Sequence, residues 1–177
     1  MLSEPLPNTL DVRKAAVRGV SIEGVLKPLD LKRFRALLAE DDGLIKAGLT
    51  FSRDEENRYL IELVLDAEVV LTCQRCLELL PKSLTCANTL AVVWTDEQAA
   101  HLPRHLEPLI VEDDDCRLWD LVEDELMLAL PAFSYHDTQE CHSFLAGFTG
   151  QSPHEETTGE DKPNPFNVLE QLKPGNK

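Results

Sequence analysis

From Ile45 onward every second residue is apolar, with Ile45, Ala47, Leu49 and Phe51 alternating with Lys46, Gly48, Thr50 and Ser52. The polar turn Asp54-Glu55-Glu56-Asn57 separates this run from Tyr59, Ile61, Leu63, Leu65, Ala67, Val69 and Leu71, which keep a single phase. Period-two alternation puts one face of a strand on a core and the other in water, so the two runs predict a β-hairpin. The second run is longer than an ordinary strand and predicts a bulge or bend near Asp66 to Glu68. After Pro81 a third run, Leu84, Cys86, Leu90, Val92 and Trp94, keeps the same period. Adjacent strands with one apolar face predict an antiparallel sheet that needs a helical cover.

The cover is predicted from Leu118 to Leu130. There Leu118, Leu121, Val122, Leu126 and Leu130 recur at helical spacing, Asp120, Glu123, Asp124 and Glu125 fall on the wet side, and Pro131 ends the helix. Upstream, Asp11 to Arg18 reads as a short helix closed by Gly19, and Val20 to Leu26 as a half-buried strand broken by Pro28. Asp30 is placed to cap a helix carrying Leu31, Phe34, Leu37 and Leu38 on one side, with Gly43 as its stop. Thr149 to Pro165 holds no large apolar residue and is rich in Gly, Pro, Ser, Thr and acids, so it predicts disorder. Phe166, Val168, Leu169 and Leu172 follow as a short amphipathic piece. The expected architecture is α+β: an antiparallel sheet covered by helices over residues 8–148, a disordered acidic linker over 149–165, and a docking segment over 166–177.

Charge narrows the partners. Of the net charge of −15, residues 1–60 contribute nothing and residues 61–177 carry the whole excess. Such a surface repels phosphate backbones and attracts basic proteins, so DNA and general nucleic-acid coating are disfavoured. A limited RNA contact through basic residues of the first third, Arg33 and Arg35 among them, stays open beside the reading that these are solvated faces. The longest unbroken apolar runs, Leu90 to Trp94 and Leu126 to Leu130, fall far short of the ~20 residues that span a bilayer. The start, Met1-Leu2-Ser3-Glu4-Pro5, has neither a basic nor an apolar stretch, so a cytoplasmic protein without membrane association is expected.

The best-defined chemical feature is Cys73-Gln74-Arg75-Cys76. Two thiolates two residues apart at a strand end can grip one metal ion, because the turn aims both sulfurs at one point. The pair supplies half of a tetrahedral zinc site. His136 and Cys141, in the loop after the Leu118–Leu130 helix, are the favoured completing ligands, with His142 as alternate. Two other readings remain: buried structural thiols, as expected for Cys86, and a redox pair, which the flanking strands disfavour. The sequence holds no Gly-rich phosphate loop and no nucleophile elbow. His101 and His105 are split by Pro103 and read as surface residues. Glu112-Asp113-Asp114-Asp115 is either a solvated loop or a magnesium site. Trp94 and Trp119 lie on apolar phases, which favours packing over base stacking.

Taken together, Thr72-Cys73-Gln74-Arg75-Cys76-Leu77-Glu78, Leu121-Val122-Glu123-Asp124-Glu125 running into Leu130-Pro131, His136-Asp137, Cys141 and Lys162-Pro163-Asn164-Pro165-Phe166-Asn167-Val168-Leu169 resemble the YceD family, the large ribosomal RNA subunit accumulation proteins. Many of its members carry further cysteines after the Leu-Pro step; this chain has His136 and Cys141 there, with His142 beside them. The resemblance implies a non-enzymatic bacterial cytoplasmic protein needed for synthesis, processing or stability of 23S rRNA. With the charge, it points to an adaptor or chaperone that meets a ribosomal protein or large-subunit assembly factor and touches 23S rRNA at most locally. Asn164, Pro165 and Phe166 then read as a tethered docking motif, or as a segment that packs back on its own domain. The alternative function class is a metal-dependent enzyme acting on precursor rRNA.

Overall fold

The computed structural model describes residues 4–137 and Cys141. The chain forms β1 (Thr9–Asp11) and α1 (Val12–Arg18), then β2 (Ser21–Leu26), a 3₁₀ turn at Pro28–Asp30 and the single-turn helix α2 (Lys32–Arg35). β3 (Ile45–Arg53), β4 (Tyr59–Thr72) and β5 (Leu79–Val93) follow, then α3 (Asp96–Ala100), β6 (Glu107–Ile110), β7 (Asp115–Arg117) and α4 (Leu118–Ala129). The main sheet runs in the order β2-β3-β4-β5-β6, and β1 pairs with β7 in a separate two-stranded ribbon. The architecture is α+β, as the alternation implies. One pairing departs from the antiparallel expectation: β6 joins the edge of β5 in parallel. The turn and helix α3 carry the chain back before β6 begins, and that return makes a parallel edge possible.

No bulge interrupts β4. Its pairing with β5 runs unbroken from Tyr59 opposite Val92 to Thr72 opposite Leu79. Ile61, Leu63, Leu65, Ala67, Val69 and Leu71 are all buried in one phase, across the segment where a bend was expected. A bulge would have thrown Val69 and Leu71 onto the wet face. An equally long partner strand removes the need for one. β5 also starts before Pro81, not after it. Pro81 lies opposite Val70, and β6 reaches only Leu90 to Val93, so the missing N–H of Pro81 costs no ladder bond on that outer edge.

The core forms where α1 and α4 lie on the inward face of the sheet. Val12, Ala15, Ala16, Leu118, Leu121, Val122 and Leu126 join the inward residues of β3, β4 and β5 in one apolar cluster. Asp11 caps α1 by accepting the Lys14 amide at 2.7 Å, and Gly19, at φ +63°, closes it. Asp30 does not cap α2 as expected. It accepts the Lys27 amide at 3.0 Å inside the preceding 3₁₀ turn, and Leu31 holds the cap position. α2 therefore ends after one turn, and Leu37 is largely exposed while Phe34 is fully buried.

The reason lies on α4. Glu123 and Glu125, expected on the wet side, are buried. Glu123 accepts the backbone amides of Arg33 and Phe34, the latter at 3.1 Å, and the Arg33 Nε at 2.8 Å. A side chain from another helix thus takes the free N–H groups that a local cap would have taken. Glu125 accepts from Asn88 Nδ2 and from the Cys86 thiol on β5. Among the described residues no helix is long and apolar enough to cross a membrane.

Burial pushes the Glu123 carboxyl up, but the amides of Phe34 and Arg33 and the guanidinium outweigh it, so its pKa lies below the ordinary value. A depressed native pKa stabilises the fold above the unfolded-chain value of ~4.3, and the contribution is lost as pH falls through the native value. Glu123→Gln is expected to lower unfolding free energy in urea at pH 7 by about 1.5–3 kcal/mol. The gap between the two proteins should narrow below pH ~4.3. A gap that stays constant with pH would show that the carboxylate charge contributes nothing.

Candidate metal centre

The β4–β5 connection is six residues, Cys73 to Glu78, folded as a knuckle. The Leu77 amide donates to the Cys73 carbonyl and the Cys73 amide to the Glu78 carbonyl, both at 2.9 Å. This folding needs Leu77 at φ +65°, a conformation that costs an ordinary residue ~1–2 kcal/mol. The second half arrives from α4. Pro131 stops the helix by forcing Leu130 into extended backbone, φ −63° and ψ 134°, and the chain turns back across the sheet end. There the Gln74 amide donates to the Ser134 carbonyl at 2.8 Å and locks the two segments together.

The result is a cluster of four side chains. The ligand atoms of Cys73, Cys76, His136 and Cys141 all lie within 4.8 Å of one another. Cys73 Sγ is 3.6 Å from Cys141 Sγ, Cys76 Sγ is 3.3 Å from His136 Nδ1, and Cys141 Sγ is 3.9 Å from Cys76 Sγ. Tetrahedral zinc with Zn–S bonds of ~2.3 Å and Zn–N bonds of ~2.0–2.1 Å sets ligands ~3.8 Å apart for sulfur pairs and ~3.6 Å for sulfur and nitrogen. The spacing fits one such ion, and three sulfurs with one imidazole form a donor set that zinc favours.

The surroundings prepare the ligands. His136 Nε2 sits 2.9 Å from the Leu79 carbonyl, which only an N–H can satisfy, so Nε2 carries the proton and Nδ1 presents its lone pair to the cluster. Burial raises the Cys73 thiol, but the backbone N–H groups of Cys76, His136 and Arg75 outweigh it and hold Cys73 at about 5. Cys141 is pushed up to about 11 by burial and by the facing sulfurs of Cys73 and Cys76. A divalent cation, when bound, supplies the positive charge that lets all three sulfurs be thiolates together.

The other cysteines stand apart. Cys116 is buried, and burial pushes its thiol up to about 11; Cys86 reaches about 11 through burial and the neighbouring Glu125 carboxylate. His101 and His105 are exposed. Arg33 pairs with Glu123 and with Asp124 at 2.7 Å, and Arg35 with Asp41 at 3.2 Å. Trp119 donates to the Leu6 carbonyl at 2.9 Å, and Trp94 packs edge-on against Tyr59 with the Arg13 guanidinium 4.6 Å above its ring. His142, Asn164, Pro165 and Phe166, and the expected disordered linker, lie outside the described residues.

The acidic loop gathers no cation site. Asp114 turns to Arg13 at 3.2 Å, and among the described residues the Cys/His cluster is the only grouping of three or more metal-ligating side chains. The loop instead rims a cleft of about 560 Å³, where Leu109 and Ile110 meet Glu112, Asp113, Asp120 and Asp124. Sequence reasoning passed over two contributors to the metal centre, the Leu79 carbonyl and the Ser134 carbonyl. A backbone acceptor leaves no trace in residue identity.

Two comparisons bear on the whole chain. The family described as large ribosomal RNA subunit accumulation protein YceD matches residues 61–173, a span that includes all four ligands. The chain is 33% identical, over 95% of its length and 96% of the relative's, to the large ribosomal RNA subunit accumulation protein YceD of Haemophilus influenzae. No solved structure matches it significantly.

Reduced, metal-free chain titrated with zinc is expected to take up about one ion. Free zinc at a thousand times Kd should stabilise the fold by about 4 kcal/mol. Cys76→Ser or Cys141→Ala should abolish most of that gain, and affinity should fall with pH as protons compete for the ligands. Equal stability with and without zinc would remove the metal centre from the account.

Proposed function

The chain belongs to the YceD family of large ribosomal RNA subunit accumulation proteins, and from that premise we propose that it supports accumulation of the large-subunit rRNA as a non-enzymatic cytoplasmic assembly factor. The observation that carries the non-enzymatic reading is the closed ligand set. Four protein ligands fill a tetrahedral ion, and catalytic zinc keeps one position for water or substrate. The metal centre therefore serves to pin the segment after α4 to the end of the β4–β5 hairpin. At the acidic loop Asp114 is engaged by Arg13.

The partner that suits this molecule is a basic protein, in this setting a ribosomal protein or a large-subunit assembly factor. A net charge of −15, carried by residues 61–177, accelerates encounters with positive surfaces and slows those with RNA. The cleft beside β6 gives that attraction a place to act. Its apolar floor at Leu109 and Ile110 can take the stem of a lysine or arginine, and its rim carboxylates the charge. Arg33 and Arg35, both engaged in ion pairs on the domain itself, are weaker candidates for gripping RNA.

Two measurements test this. Purified chain with magnesium and precursor rRNA should leave the RNA intact, whereas site-specific cleavage would establish the enzymatic reading instead. Glu112→Gln with Asp113→Asn should slow association with the basic protein that co-purifies with the chain and flatten its salt dependence, with melting temperature unchanged. Unchanged association would move the contact off the cleft.

A further inference from the structure

The metal knuckle carries an exposed aromatic surface that the fold does not use. Phe133 and Tyr135 stand two residues apart in the segment after α4, and their rings lie side by side. Their rings are parallel to within 3°, with centroids 6.2 Å apart. Phe133 is 69% exposed and Tyr135 45%. On the knuckle itself Leu79 is half exposed, with its carbonyl bonded to His136, and Leu77 is 76% exposed. A pair of aromatic rings left in water in this way marks an interaction site.

What the surface recognises is written in one contact. The Arg75 guanidinium of the knuckle lies 4.9 Å from the Tyr135 ring centroid, so Tyr135 already holds an arginine by cation–π attraction, while Phe133 keeps an exposed ring beside it. The arrangement is fixed from beneath, because Gln74 is bonded to Ser134 and the ring of His136 to the Leu79 carbonyl. Phe133 presents the same kind of face. The charge of the chain decides between the two polymers that stack on aromatic faces, since −15 draws arginine-bearing protein and repels unpaired RNA.

We infer that Phe133 and Tyr135, held against the metal knuckle beside Arg75, form a docking surface for an arginine-bearing segment of a basic protein. The inference rests on the reading of a basic partner and narrows it from general charge attraction to guanidinium stacking. Lysine meets the same negative field but lacks the planar group, so the surface should tell the two cations apart.

The test uses the full chain with equimolar zinc and fluorescein-labelled Gly-Arg and Gly-Lys repeat peptides of equal length, followed by anisotropy. The arginine peptide should bind about fivefold more tightly than the lysine peptide. Phe133→Ala with Tyr135→Ala should bring the two affinities within about twofold while leaving the lysine peptide unchanged. Phe133→Leu, which keeps the apolar bulk and removes the π face, should lose part of the preference, and circular dichroism should show native folding for both variants. Glu112→Gln with Asp113→Asn should weaken both peptides together and keep the preference, so failure of the cleft reading and of this one are separable. Equal affinities in the parent chain, or a preference that survives the double substitution, overturns the inference. Binding of labelled oligouridine that depends on Phe133 and Tyr135 overturns it too, in favour of RNA.

Discussion

Fourteen consecutive residues of β4 pair with β5 without a break in register, and the rest of the molecule is organised by that ladder. Because the pairing never slips, every second side chain from Ile61 to Leu71 reaches the same core, and α1 and α4 have one continuous apolar face to cover. The ladder also sets where chemistry occurs. At the end that closes the hairpin, Thr72 and Leu79 pair and leave six residues to turn, which is the room a two-cysteine knuckle needs. At the other end Leu90 to Val93 receive β6, and the chain passes from there into the acidic loop. The Cys/His cluster and the acidic cleft therefore belong to opposite ends of one strand.

α4 connects these ends and shows how a helix can be amphipathic by composition yet buried on more than one side. Its apolar stripe meets the sheet, as spacing alone requires. Its acidic residues divide according to what they meet: Glu123 the start of α2, Glu125 the polar side chains of β5, and Asp124 the Arg33 guanidinium at the surface. Burying two carboxylates is costly unless each is bonded, and both are. The gain is positional. Glu123 anchors α2, and the helix end delivers Pro131 and the segment to His136 at the knuckle.

The division of labour in the functional reading follows from this frame. A closed cluster of three sulfurs and an imidazole joins two distant segments, and so does for the sheet end what a core cannot do near a surface. The family places it in the accumulation of large-subunit rRNA, and the basic partner proposed above accords with the charge of the chain.

How much of this stood in the sequence depends on how far apart the interacting residues are. Strands β3, β4 and β5, α1 with its Gly19 stop, the extent of α4 and the knuckle turn announce themselves in local spacing, and local pattern determined them. His136 and Cys141 were legible as ligands only because the chain had to return after Pro131, and their convergence with Cys73 and Cys76 is a tertiary fact across 60 residues or more. Burial of Glu123 is a bond spanning 90 residues to Arg33, and nothing near either of them announces it. The same holds for the parallel edge of β6 and the straight run of β4, which an equally long partner strand decided. Side-chain period dictates which residues seek a core; only the packed chain decides which polar groups go with them, because a carboxylate enters the interior when another segment brings it its donors.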